Sequence, residues 1–355
     1  MAITYPLTLP SSPGFKRFVM RARSTPAMTV FPFTLLQQLY QHQGEVWSAE
    51  CTLPAMTRAQ AEEWAAFLLA LRGRWGTFVL GDPSGATPRG TPQGSPSVNT
   101  QWGLSQNGAV VLATHGWTAS QSNLLKKGDY LQVAKNYLTY PRAFDNAAWT
   151  KYQCTVTATD IVAPTGVAEA ERVTPNAGAT NAYMLQIATA APPLYKGRAF
   201  SLSIWLKAAA GTPSIKAYIW DGVSTNTPLD CALTTSWQRF RETATLSESA
   251  TTVECYLGGQ NSWVEAEGAV DLWGAALCSP NQGARLHKAL NAVNSASDTG
   301  ASIDIFPRVR ALTTDFSEII TTSPVGLFRL RENTTEWDLD EVKNFGMGFS
   351  AIEAI

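Results

Sequence analysis

Along most of this chain apolar and polar residues alternate with a period of two, the pattern of strands with one buried face. Phe15–Arg23 sets Phe15, Phe18 and Met20 against Lys16, Arg17, Arg21 and Arg23, with one irregularity that fits a bulge. Ala27–Phe33, Leu35–Tyr40 and Glu45–Leu53 follow, so residues 3–54 predict an antiparallel sheet. The period then changes. Ala61, Trp64, Ala65, Leu68 and Leu69 fall at helical spacing on one face, with Arg58, Glu62 and Glu63 facing away. Thr57 followed by Gln60 reads as a capping box, and Gly73 as a left-handed C-cap. One amphipathic helix is therefore predicted over about 57–72, laid on its sheet by Trp64 and Leu68. Thr77–Leu80 is strand again and ends in Gly81-Asp82-Pro83, a turn that cannot extend a ladder.

Residues 84–100, dense in Gly, Pro and Ser, predict a long exposed loop. Strands resume between Ala109 and Val133, where Lys127-Gly128-Asp129 turns into Tyr130–Val133. From about Tyr137 the chain becomes a run of short strands at sandwich-like spacing: Phe200–Lys207, Ile215–Trp220, Trp237–Thr245, Thr252–Leu257 and Val270–Leu277. In the first of these, Leu202, Ile204 and Leu206 share one face, and Ser201, Ser203, Trp205 and Lys207 the other. After Asn281 the earlier style returns, and RLHKALNAV is the natural partner of GDYLQV. The strand ending at Val133 and the one starting at Arg285 are expected to be two halves of one hairpin. A complete β domain over 140–280 would sit at its tip, where insertion disturbs little buried backbone.

Composition narrows the function. Hydrophobic residues make up 45% of the 355, enough for a core. The net charge of −1 argues against a broad electrostatic grip on nucleic acid or anionic membrane. Charged residues are only 15%, against about 25% in a usual soluble protein. That deficit, with 12 tryptophans, fits a surface hidden in an assembly, and equally a β protein with Ser/Thr/Asn/Gln faces. Five widely spaced cysteines (Cys51, Cys154, Cys231, Cys255, Cys278) without a CxxC pair read as reduced core residues made in a cytosol. The first residues carry no secretory pattern and no run of 18 apolar residues exists, so neither a signal peptide nor membrane insertion is expected.

Catalytic signals are sparse. His42, His115 and His287 lack metal-ligand spacing and read as solvated or strand-face residues, so no metal or cofactor is expected. There is no GxSxG elbow, P-loop or dinucleotide fingerprint. Glycoside hydrolysis would need two converging carboxylates, for which Glu169, Glu171, Asp221, Glu254, Glu265, Glu267 and Asp271 are available. The aromatic supply of 140–280 says more: Trp149, Trp205, Trp220, Trp237, Trp263 and Trp273, with Tyr183, Tyr195, Tyr218 and Tyr256. Such rings stack on apolar sugar faces. Trp149 and Trp273 read as packing residues. Trp263, in the loop GGQNSWVEAEG beside Gln260 and Asn261, reads as an exposed contact. Trp205, on a polar strand face, and Trp220, before an Asp-Gly turn, complete the candidate carbohydrate site.

Residues 47–83 (WSAECTLPAMTRAQAEEWAAFLLALRGRWGTFVLGDP) resemble the N-terminal domain of distal tail-type proteins of long-tailed bacteriophages and prophages. GDYLQV, RLHKALNAVN, SIDIFPRVR and SPVGLFRLRENTTEW resemble the C-terminal part of that family. The middle segment, through FDNAAWTK, AFSLSIWLKA and VDLWGAAL, is similar to carbohydrate-binding modules of jelly-roll type. The resemblance implies a mainly β chain in parts. Residues 1–83 would be a ring-forming β-sandwich with the helix, 84–100 a loop, and 101–138 plus 284–355 a split barrel-like part completed by the C-terminus. Residues 140–280 would be the inserted jelly roll, a type of module some of whose members hold a structural calcium. It implies a non-enzymatic virion protein of the tail tip, made in the bacterial host cytoplasm. Its partners would be its own copies in a ring, usually a hexamer, the tail tube and tail-tip hub proteins, and host surface polysaccharide. A glycan depolymerase and a purely structural decoration domain are the alternatives.

Overall fold

The computed structural model describes residues 3–99, 110–188, 196–224, 228–279, 285–309, 315–339 and 345–354. Tyr195, counted above among the aromatics, and residues 101–109 of the barrel-like part lie outside these. Strands dominate, arranged in four sheets, with one α-helix among the described residues.

The first sheet runs in the order Arg17–Val30, Gln37–Thr52, Phe345–Glu353, Gly326–Leu330 and Phe78–Leu80. The short segments expected over 15–53 merge into two long strands that form one hairpin, in register from Arg17↔Thr52 to Val30↔Gln37 with a shift at Ser24/Pro26. The C-terminal strands correct the expected division. They complete this N-terminal sheet, with Ser48 opposite Ile352 and Phe328 opposite Glu353, rather than the barrel-like part. The helix spans Arg58–Ala70, and the Thr57 N–H donates to Gln60 Oε1 at 3.2 Å as the capping box requires. It buries Ala61, Trp64, Phe67 and Leu68, with Trp64 packed against Phe15, Phe67 and Phe349. Leu69, expected inward, is exposed while Phe67 takes the buried position. At 100° per residue the stripe through Ala61, Trp64 and Leu68 includes Phe67 and turns Leu69 out.

The barrel-like sheet runs Ile319–Ile320, Tyr130–Val133, Arg285–Ala289, Ala301–Phe306, Val111–Trp117 and Gly94–Val98, and a bridge from Ser97 to Glu318 nearly closes it. The expected hairpin partners pair: Arg285 lies opposite Val133 and Lys288 opposite Tyr130. Gly94–Val98 corrects the expected exposed loop over 84–100. Its end is a strand whose Ser97 and Val98 are fully buried, because small residues let it pass close against Trp117 and His115. Two buried ion pairs tie this sheet to the first, Arg285–Glu353 at 2.7 Å and Arg308–Glu45 at 3.3 Å. The Trp47 indole N–H adds a bond to the Leu286 carbonyl at 2.9 Å.

The segment after Val133 builds a β-sandwich. One sheet runs Gln238–Thr245, Ala199–Ala208, Val270–Ser279, Ala168–Pro175 and Cys154–Val162; the other runs Leu229–Ala232, Ser214–Trp220, Glu254–Gly258, Tyr183–Ile187 and Thr150–Tyr152. Leu202, Ile204, Leu206, Ile215, Ile219, Leu257, Leu272 and Leu277 fill the space between. All five cysteines are free and buried.

The outer face of the first of these sheets is docked on the barrel-like part. Trp273, Ala276 and Cys278 alternate with the core residues of their strand and pack with Phe316 and Ala134. Arg142 ion-pairs with Glu169 at 2.6 Å and with Asp315, and its guanidinium lies over the rings of Trp273 and Phe316. Glu318 accepts from Ser201 at 2.7 Å and pairs with Arg241. His115 is buried against Trp273 and Phe316, and burial, together with nearby Arg239 and Arg142, holds it well below the usual imidazole range. His287 is likewise buried, pushed down to about 3 by burial and by Arg285. Both are neutral packing residues.

Phe316 sits directly over Gly274, whose φ is 62°. A Cβ there would come within 2.1–2.7 Å of three atoms of the ring. Gly274→Ala is therefore expected to destabilise the protein by about 1–3 kcal/mol, read as a fall in the chemical denaturation midpoint. A midpoint equal to that of the unsubstituted protein would refute this packing.

Candidate ligand-binding face

With one outer face of the sandwich covered, the other sheet presents its outer face to solvent. Strand alternation decides what stands there. Cys255 and Leu257 point into the core, which turns Glu254 and Tyr256 outward. Met184 is buried, so Tyr183, Leu185 and Ile187 face out. Ile215, Ala217 and Ile219 are inside, leaving Lys216, Tyr218 and Trp220.

The register turns these positions into a row of tyrosines across four strands. Tyr183 lies opposite Tyr152, and Tyr218 opposite Tyr256. Ring centroids are 4.9 Å apart for Tyr152–Tyr183, 5.6 Å for Tyr183–Tyr256 and 4.9 Å for Tyr218–Tyr256, the last pair inclined by only 9°. Cross-strand aromatic pairs of this kind stiffen a sheet beyond their buried area. The row is closed at one end by Tyr218, 5% exposed, and open at the other at Tyr152, 46% exposed. Burial pushes the Tyr218 phenol up to about 12, with Tyr183 and Glu254 adding to the effect. Burial and the adjacent Glu254 carboxylate likewise raise Tyr256 above the usual phenol range.

Trp220 lies opposite Glu254 at one end of this face. The next residue anchors it. Asp221 is fully buried and its carboxylate accepts from the backbone N–H groups of Val223, Ser224 and Ser247 at 2.7–2.9 Å. Burial works against the charge, but these amides outweigh it and hold Asp221 below the usual carboxylate range. At the other end, Gly259 leans on Tyr183 and the Tyr218 hydroxyl, and leads into Gln260 and Asn261. Both are exposed with positive φ, and the Asn261 N–H donates to Asn181 Oδ1 at 2.8 Å.

Of the five residues proposed from sequence, Trp220, Gln260 and Asn261 thus flank the same face at opposite ends. The other two are corrected. Trp263 is not an exposed contact: it is fully buried in the sandwich core, its indole N–H donating to the Gly268 carbonyl at 3.0 Å. Gly258 leaves room for the ring to tuck beneath the loop. Trp205 stands on the opposite sheet, half-buried against Trp273 at the docked face. Its strand alternates as expected, but its polar face meets protein, not water. The four tyrosines stand dozens of residues apart in the sequence, each on an outward position of its own strand; only the strand pairing puts them side by side.

The carboxylates considered for hydrolysis are engaged elsewhere. Glu169 pairs with Arg142, and Asp271 with Arg172 and Lys207. Glu171 accepts from Phe144 and Asp145, Glu265 from Gly178 and Glu267 from Ser214, all backbone N–H groups. Glu254 accepts from Thr252 Oγ1 at 3.1 Å. Among the described residues no group of three or more His, Cys, Asp or Glu side chains is placed to hold a metal.

No protein-family model matches the chain, and no curated protein matches it. Solved structures do. The chain is similar to the enzymatically active domain of tailspike protein 4 of bacteriophage CBA120, at 18% identity and a TM-score of 0.32, over 41% of this chain and 21% of that one. It is similar to the CBM22-1 xylan-binding domain of Xyn10C from Paenibacillus barcinonensis, at 16% identity and a TM-score of 0.29, over 43% of this chain and 96% of that one. It is also similar to a Stig cyclase from Fischerella sp. TAU, at 10% identity and a TM-score of 0.34, over 42% of this chain and 98% of that one. These are likenesses of backbone shape and carry no ligand or activity.

The packed row makes a chemical prediction. A phenol whose folded pKa is raised contributes stability that is fully present below its ordinary value of ~10. That contribution is lost as the pH rises through the folded value, about 12 for Tyr218. An alkaline absorbance titration should show tyrosines that ionise only above the ordinary range, and Tyr218→Phe should remove one of them. Complete ionisation near the ordinary value, in protein that is still folded, would contradict the row.

Proposed function

We propose that this chain is a structural subunit of the tail tip of a long-tailed phage, assembled as a ring between the tail tube and the receptor-binding tip, whose sandwich offers its free sheet face to host surface glycans. The observation that carries the glycan reading is the row of packed rings from Tyr152 to Tyr218, with Trp220 beyond it on the same strand, on a domain mounted by its opposite side. The stacked rings present hydroxyls and ring edges, Leu185 and Ile187 add apolar surface, and Lys216, Glu254, Gln260 and Asn261 supply polar contacts around it. Sugars, apolar on their faces and hydroxylated at their rims, match that combination. Repetition around a ring raises avidity, so weak individual contacts suffice.

The tail-tip and ring readings rest on the sequence resemblance in residues 47–83 and in the strands after 285, with the low charge as support. On this reading the protein acts in the virion, its copies form a hexamer, and its neighbours are tube and hub proteins. On the same reading it binds glycan without cleaving it; the engagement of the seven carboxylates considered for acid–base work in ion pairs and hydrogen bonds supports this.

The test is binding to immobilised host surface polysaccharide. The double variant Tyr152→Ala/Trp220→Ala should bind at least tenfold more weakly, about 1.4 kcal/mol, while staying folded, its melting temperature lower by no more than a few degrees. Trp263→Ala should lower the melting temperature instead. Undiminished binding by the double variant would move the site elsewhere. Absence of any binding by the unsubstituted protein would leave a structural decoration domain, and released oligosaccharide would make it a depolymerase.

A further inference from the structure

The hairpin formed by Arg17–Val30 and Gln37–Thr52 projects well beyond its sheet. Every residue from 21 to 43 is exposed, and no Asp, Glu, Lys or Arg occurs between Arg23 and Glu45. Its outer part instead carries Met28, Val30, Phe31, Phe33, Leu35, Leu36, Leu39 and Tyr40 in the open, with Phe33 91% exposed. A two-stranded hairpin alone in water is marginally stable, and edge strands that face solvent are normally guarded by charge. This arm has the opposite character. Its eight large apolar side chains offer on the order of 1,000 Å², comparable to the ~800 Å² that each partner contributes to a stable protein interface.

We propose that the arm docks on a second copy of this chain, on the surface that carries the exposed Leu69 and Trp75. The inference rests on the ring reading above and names the contact that closes the ring. A closed ring needs a head-to-tail interface, so each subunit must carry a donor and an acceptor surface in different places. The sheet order supplies this. The arm leaves from the edge made by Arg17–Val30 and Gln37–Thr52, whereas Leu69 and Trp75 lie at the end of the helix and in the loop that feeds Phe78–Leu80, the opposite edge. Trp75 is 77% exposed and Leu69 is turned away from its own core. The arm therefore cannot satisfy the patch of its own subunit without crossing the sheet, but it can reach that of the next.

Two variants test this by complementation. Phe33→Ser/Leu36→Ser/Leu39→Ser alters only exposed arm residues, and Trp75→Ser only the patch; circular dichroism verifies that each is folded. The unsubstituted protein should sediment as an oligomer and each variant as a monomer. Mixed together, the two variants should form a dimer that grows no further, because each retains one intact half of the interface. Oligomers that persist in the arm variant would overturn the arm's role while leaving ring assembly standing. An arm variant that is monomeric while Trp75→Ser still assembles would overturn the patch. An unsubstituted protein that stays monomeric at high concentration and binds liposomes through the arm would overturn both the docking and the ring.

Discussion

The strand Val270–Ser279 has protein on both sides, and much of the molecule is arranged by that fact. Leu272, Ala275 and Leu277 belong to the sandwich core, while Trp273, Ala276 and Cys278 belong to the cluster between sandwich and barrel. A strand buried on both faces must find two apolar partners. Here the second partner is Phe316, set over Gly274, with the Arg142 guanidinium spread across the adjoining rings and neutralised by Glu169 and Asp315. The sandwich is thereby seated on the barrel by packing and buried charge pairs, and does not swing on a tether.

That seating fixes which surface is available for recognition. The sheet containing Trp205 and Trp273 is spent on the mount, so the sheet with the tyrosine row is turned outward. The other end of the molecule has a different exposed resource, a charge-free apolar arm that departs from the sheet completed by the C-terminus. On the readings proposed above, one face meets a hydroxylated ligand and the other a protein partner. The two lie on different parts of the fold, so recognition and assembly need not compete for the same residues.

Local chemistry was read well from the chain. The capping box at Thr57, the helix face through Trp64 and Leu68, the split of Leu202, Ile204 and Leu206 from Ser201 and Ser203, and the pairing of Tyr130–Val133 with Arg285–Ala289 all follow from periodicity and turn residues. Readings that depended on what lies opposite a residue fared differently. Trp263 sits in a Gly- and Asn-rich loop, yet the ring turns under it into the core. Trp205 has polar strand neighbours, yet Ser201 donates across the interface to Glu318 and Ser203 accepts from Arg239 on the adjacent strand. The last strands pair with the first ones, not with the barrel beside them in sequence.

The sequence by itself determined most of the strands, the helix and the side most of their residues show, because these depend on neighbours two to four positions away; Leu69 and Gly94–Val98 are exceptions. The tertiary structure alone decided which of those sides meets water. Tyr152, Tyr183, Tyr218 and Tyr256 are separated by dozens of residues and become one surface only through strand register. Burial likewise depends on contacts made across the whole chain, such as that of Phe316 with Gly274, which no local period encodes.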